Sequence, residues 1–246
     1  MTKRLSKGLD FVVTYTWSKS LDHDGGYYAI DPKNGFGPDD FNRKHVFVLS
    51  EVYELPFGRG KQFMSSANRA VDAIFGGWQI NSNTQWESGL PFSPSYQQCG
   101  ADRDNGRCTA IVVGGVDTGG GRNGFFTVAP SNCTALFGAS ATAPGQPNGN
   151  GVVCGPYLRP QIGQFGDERN GLAGPHLFNT DLSVFKNFSI TEQVRAQIRA
   201  EFFNAFNHVN LGQPANCVDC SGAGTIGSLA PNAIMRQIQI GARFSF

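Results

Sequence analysis

The stretch Val194-Arg195-Ala196-Gln197-Ile198-Arg199-Ala200-Glu201-Phe202, running on to Phe206, decides the fold class. Val194, Ala196, Ile198, Ala200, Phe202 and Phe206 take alternate positions, and Arg195, Gln197, Arg199 and Glu201 lie between them. Successive side chains of an extended chain point to opposite faces, so a period of two describes a strand with one apolar and one polar face. A helix would bring residues three and four apart together and mix the two classes.

Five other segments follow the same rule. In 234–246, Ile234, Ile238, Ile240, Ala242, Phe244 and Phe246 oppose Gln237, Gln239, Arg243 and Ser245, with Arg236 the exception. In 180–188, Leu182, Val184 and Phe188 oppose Asp181, Ser183 and Asn187, and Lys186 intrudes near the end. Segment 78–92 sets Trp78, Ile80, Trp86, Leu90 and Phe92 against Gln79, Asn81, Asn83, Gln85 and Glu87. Segment 11–18 sets Phe11, Val13, Tyr15 and Trp17 against Val12, Thr14, Thr16 and Ser18. Segment 45–55 is ambiguous: Glu51 shares the face of Phe47, Leu49 and Tyr53, while Val46, Val48 and Val52 make the other face apolar too. Its orientation stays open.

A half-buried soluble sheet also alternates, so the connections carry the distinction. They span 19–44, 56–77, 93–177, 189–193 and 207–233, in the order long, shorter, very long, short, long. Outer-membrane barrels alternate long extracellular loops with short periplasmic turns. A soluble domain with a structureless connection of roughly 85 residues runs against ordinary loop lengths. The expected fold is all-β: about six antiparallel transmembrane strands of a larger barrel, with long extracellular loops.

Composition agrees. Of 246 residues, 16% are charged, against roughly 25% in an average soluble domain, and 32 are glycine, about twice the usual share. Twenty phenylalanines exclude disorder driven by charge, and a net charge of +1 argues against a nucleic-acid partner. No run of about 18 apolar residues is present, which leaves strands as the way to cross a membrane. Asp10 interrupts the start before an apolar export segment forms.

Six cysteines, Cys99, Cys108, Cys133, Cys154, Cys217 and Cys220, all lie in the long connections, which suggests an oxidising compartment and structural disulfides. Near neighbours are the preferred pairs. Cys217-Val218-Asp219-Cys220 also has the spacing of a redox or zinc half-site, but without a second ligand pair.

Tyr15-Thr16-Trp17-Ser18-Lys19-Ser20-Leu21-Asp22, Arg43-Lys44-His45 and Tyr53-Glu54-Leu55-Pro56-Phe57-Gly58-Arg59-Gly60-Lys61 together resemble the late barrel strands of TonB-dependent outer-membrane receptors. The likeness is to the Oar-like group, which carries a carboxypeptidase-regulatory-like domain. Gly76-Gly77-Trp78-Gln79-Ile80, Ser88-Gly89-Leu90-Pro91-Phe92, Arg169-Asn170, Gly174-Pro175, Asn179-Thr180-Asp181 and Arg199-Ala200-Glu201-Phe202-Phe203-Asn204-Ala205-Phe206-Asn207-His208 continue it in order. The last nine residues resemble the carboxy-terminal assembly signal of outer-membrane proteins, carried by Ile238, Ile240, Ala242, Phe244 and Phe246.

The resemblance implies a 22-stranded barrel plugged by an amino-terminal domain. Residues 1–246 would be its carboxy-terminal part, with plug, signal peptide and TonB-contacting segment absent. It also implies energy-coupled uptake of a bulky siderophore, oligosaccharide or peptide, inactive in this stretch alone. The implied partners are outer-membrane lipid, the barrel-assembly machinery, and, in the full-length protein, TonB and the plug. Gln79, Asn81, Asn83, Gln85, Glu87, Arg195, Gln197, Arg199 and Glu201 are expected to line the lumen. The competing reading is a self-standing small barrel or adhesin-like surface protein.

Enzymatic chemistry finds no foothold. Asp22-His23-Asp24-Gly25-Gly26 and Asp39-Asp40 lack the spacing and terminal Glu of a calcium loop. His23, His45, His176 and His208 are scattered. The glycines at 114–115 and 119–121 precede no Lys-Ser/Thr, and no Gly-x-Ser-x-Gly occurs. No catalytic residue, metal or cofactor is assigned, and the chain is not read as an enzyme.

Overall fold

Each alternating segment forms a strand in the computed structural model, which describes residues 2–5, 8–23, 35–97, 109–128, 153–160, 166–191 and 193–246. Residues 2–5 and 153–154 are described through their backbone alone. One sheet of seven antiparallel strands holds β1 (Thr2–Leu5), β2 (Leu9–Trp17), β3 (His45–Glu54), β4 (Trp78–Glu87), β5 (Leu177–Ser189), β6 (Arg195–Phe203) and β7 (Gln237–Ser245). Spatial order equals chain order, so the sheet is an up-and-down meander. Among the described residues it is open, with β1 and β7 at its edges.

Register settles which residues share a face, because directly paired residues point the same way. Val46 pairs with Glu87 and Phe47 with Trp86. Strand β3 therefore puts Phe47, Leu49, Glu51 and Tyr53 on the apolar face, and Val46, Val48 and Val52 on the face of Asn81 to Glu87. Glu51 is accommodated there by the Ser82 hydroxyl, which donates to it at 2.9 Å. The other ambiguous charge, Lys186, lies on the same apolar face and reaches the Gly76 carbonyl, with its Nζ 5.4 Å from the Trp78 ring centre and 5.1 Å from that of Phe188. A long cation with an apolar stem thus places its head at the boundary of the apolar band.

Aromatic residues mark both ends of that face. Tyr15, Trp17, Trp86, Phe178 and Phe206 stand at the long-loop end, and Tyr53, Trp78, Phe188 and Phe244 at the other. From Trp78 to Trp86 the strand rises roughly 27 Å at ~3.4 Å per residue, about 20 Å once a barrel tilt near 40° is applied. That matches an apolar band flanked by aromatic girdles.

Four expectations change. Strand β1 adds a seventh strand where the sequence reads only as a basic start. Segment 78–92 is two elements, because β4 ends at Glu87 and Pro91–Phe92 turns away to pair with Leu172–Ala173. The connection 56–77 is not all loop, since it holds helix α1 (Arg69–Phe75), capped by the Asn68 side chain accepting from the Val71 N–H at 2.9 Å. The connection from β4 to β5 is also not structureless. It holds short strand pairs and supplies most of the buried apolar core, Phe92, Tyr96, Ala110, Phe125, Phe126 and Tyr157.

Val218 and Ile226 from the β6–β7 connection complete the core. No fully buried apolar side chain among the described residues lies in the seven strands. The two loops lock together through backbone bonds from Val218 to Ser95 (2.7 Å), Phe125 to Gly224 (2.8 Å) and Ile226 to Arg122 (2.8 Å). The loop between β2 and β3 joins them where buried Arg169 meets Asp40 at 2.5 Å and the Asn170 amide donates to the Pro38 carbonyl at 2.8 Å. Gly37 is required there, since a Cβ would sit 2.4 Å from the Arg169 carbonyl.

Burial raises the Tyr96 phenol and pushes that of Tyr157 up to about 12. A phenol whose pKa rises on folding leaves stability intact below the unfolded value near 10, and stability falls as pH climbs through about 12. Absorbance at 295 nm should therefore show these two phenols ionising above the ordinary range of a phenol, as the loop unit loosens. Ionisation of Tyr96 and Tyr157 near 10 would contradict the packing.

Candidate functional site

The polar face is assembled by four strands. Gln79, Asn81, Asn83, Gln85 and Glu87 of β4 stand beside Ser183, Asp181 and Asn179 of β5. Arg195, Gln197, Arg199 and Glu201 of β6 follow, with Ser189, Asn187, Phe185 and Ser183 opposite them. Strand β7 adds Gln239, Gly241, Arg243 and Ser245. The nine polar residues picked out by alternation thus share one face. Register adds Asn179, Asp181, Asn187 and Arg243, whose signal was the same alternation in β5 and β7.

Hydrogen bonds run across this face. Ser50 donates to Asn83 at 2.9 Å, Gln79 to Asn81 at 2.8 Å, and Gln197 to Asn187 at 2.9 Å. Such bonds hold amide groups in fixed orientations while leaving donors and acceptors for a ligand or water.

The two ends differ in charge. At the long-loop end, Arg43 pairs with Glu87 at 2.8 Å and donates to the Ser88 carbonyl at 2.7 Å, and Gln85 donates to Glu87 at 2.5 Å. Asp181 accepts from Asn179 at 3.0 Å and from the Asn204 N–H at 2.9 Å. A cleft of about 600 Å³ opens over these groups, roofed by residues 231–234. Alternation misses Arg43, because it precedes β3 in a loop. At the short-turn end, Arg195 and Arg243 border a cleft of about 300 Å³ with Asn187 and Gln197. The neighbouring Arg199 lies 3.6 Å from Glu201, and Glu54, paired with Gln79, puts a further carboxylate on this face. The face therefore passes from paired, amide-rich groups at one end to a corner of β6 and β7 that carries Arg195, Arg199 and Arg243 at the other, chemistry for holding polar solutes by hydrogen bonds and ion pairing.

The remaining expectations fall as follows. Cys217 and Cys220 form a disulfide with Cα atoms 5.4 Å apart. They also lie with Asp219 in a group of metal-ligand types, but sulfurs joined to each other supply no thiolate pair for zinc. Cys99, Cys108 and Cys133, and the side chain of Cys154, lie outside the described residues. Asp22 and Asp40 face Arg169, at 3.6 and 2.5 Å. His176 and His208 stack with ring centres 6.0 Å apart, a contact that scattered sequence positions conceal. Ile238, Ile240, Ala242 and Phe244 lie on the apolar face of β7, all exposed, and Phe246 follows it, 98% exposed.

An antiparallel meander with an apolar, aromatic-girdled face and a polar face defines the class of membrane β-barrel proteins. The family model for an outer membrane beta barrel domain matches residues 1–239, and the chain belongs to that family. Its place is the cell outer membrane. No curated protein and no solved structure matches.

Proposed function

We propose that these strands are the carboxy-terminal part of the barrel of a TonB-dependent transporter, of the Oar-like kind, with the polar face as the lumen wall. Uptake of a siderophore, oligosaccharide or peptide would be powered through TonB in the full-length protein. No catalytic step belongs to the reading, and nucleic acid is not a partner. The carrying observation is the odd number of strands in the sheet among the described residues. In a meander β1 and β7 run the same way, so joining them directly would create a parallel seam. A closed, wholly antiparallel barrel needs an odd number of further strands, and unpaired edges cannot remain in lipid. A wide barrel with a polar, hydrogen-bonding wall is what a plugged transporter requires.

Whole cells test transport. Uptake of a panel of ferric siderophores and labelled oligosaccharides is compared between wild type and a gene deletion, with and without a protonophore. Loss of one uptake in both treatments supports the reading, whereas a deletion that changes none removes it. The packed loop core favours a second reading, a surface-binding barrel, for which deletion would abolish adhesion and leave uptake intact.

The proposed assembly signal makes a separate prediction. Phe246→Ala should leave the sheet unchanged, because the side chain is almost wholly exposed, yet lower the amount recovered in outer-membrane fractions several-fold. Unaltered recovery, judged by heat-modifiable migration, would remove Phe246 from the signal.

A further inference from the structure

The connection from β3 to β4, residues 55–77, is ordered without a core of its own. No residue of α1 is buried, and seven residues are too few for a helix to persist alone in water. It is held by polar pins. The Asp72 carboxylate accepts from the Arg59 N–H at 2.7 Å, and the Arg69 guanidinium donates to the Ile190 carbonyl at 3.0 Å. The Trp78 indole donates to the Ile74 carbonyl at 2.9 Å, and Lys186 reaches the Gly76 carbonyl. Gly77, at φ +68°, lets this segment meet β5, where a Cβ would lie 2.4 Å from the Asn187 carbonyl.

These pins fix a direction. Trp78 and Lys186 both stand on the apolar face of the sheet, so the helix end sits against that face and not the polar one. What it presents there is apolar: Ile74 is 63% and Phe75 53% exposed, and Phe57 and Phe63, in ring contact at 5.6 Å, are exposed as well. Residues 55–77 also carry three cations, Arg59, Lys61 and Arg69, against the single carboxylate of Asp72. Among the described residues, the Arg59 side chain makes no hydrogen bond or ion pair. Apolar groups left bare beside the girdle of Trp78, with basic groups around them, have the composition of an element lying in a membrane interface.

We propose that residues 55–77 form an interfacial anchor that inserts Ile74 and Phe75 into the phospholipid leaflet on the short-turn side, with Arg59 at the headgroup phosphates. The occupant is lipid because the patch continues the apolar face of the barrel. The inference rests on that face meeting lipid, and its test separates the two. The full-length protein is refolded into vesicles of phosphatidylcholine and phosphatidylglycerol with a photoreactive benzoylphenylalanine at position 75, at position 198 on the apolar face, or at position 185 on the polar face. Position 75 should give a phospholipid adduct within about twofold of position 198, and at least tenfold above position 185. Lipid adducts at 198 with none at 75, or crosslinks from 75 only to the chain itself, overturn the anchor while the barrel stands. Absence of lipid at 198 overturns both.

Discussion

Val184→Arg is expected to destabilise the membrane-inserted protein by about 2–4 kcal/mol. Val184 lies at the middle of β5, paired with Ile80 on one side and Ala200 on the other, all on the apolar face. An arginine there brings its charge into the hydrocarbon at its greatest depth, where snorkelling to either boundary is longest. The adjacent Ser183 points the other way, between Asn81 and Glu201. Ser183→Arg gains water and a carboxylate neighbour, and should change stability by less than about 1 kcal/mol. Equilibrium urea unfolding of the full-length protein in phosphatidylcholine vesicles measures both. Because one step along a strand exchanges faces, equal costs for the two substitutions would remove the assignment of faces, and with it the proposed lumen.

Tyr157→Ala should have a comparable effect in a different place. The side chain is fully buried, its hydroxyl donates to the Thr127 carbonyl at 2.6 Å, and its ring meets Phe126 edge-on at 6.5 Å between centres. Its own carbonyl accepts from the Tyr96 hydroxyl at 2.9 Å. Removing a buried aromatic typically costs about 3–5 kcal/mol. In so small a core that loss should open the loop unit and expose it to protease, while the strands keep heat-modifiable migration, because no core residue belongs to them. Tyr157→Phe deletes only the hydroxyl and should cost about 1 kcal/mol. Joint melting of loops and strands in Tyr157→Ala would show that the two are one cooperative unit.

The same division separates what was legible from what was not. Alternation from Gln79 to Glu87 and from Arg195 to Glu201 picks out nine polar-face residues, and alternate long and short connections orient the meander. Strand β1 escapes because four residues are too short for a period to show. Strand β3 is undecidable alone, since Val46, Val48 and Val52 make both faces apolar; only pairing with Trp86 and Glu87 chooses. Arg43 precedes its strand, so no alternation places it beside Glu87. The stretch 93–177 has no period at all, yet it supplies most of the core, because Tyr96, Phe126 and Tyr157 meet through folds of the chain that local spacing does not encode.

By itself the amino-acid sequence determined six of the seven strands, the two faces of all of these but β3, and the membrane they suit, because side-chain alternation is a property of each extended segment independent of its neighbours. Only the tertiary structure decided the register that orients β3, the ion pair at the mouth of the polar face, the loop-borne core and the exposed helix beside Trp78. Each of these depends on which distant segments come together, and that is set by contacts between residues tens of positions apart.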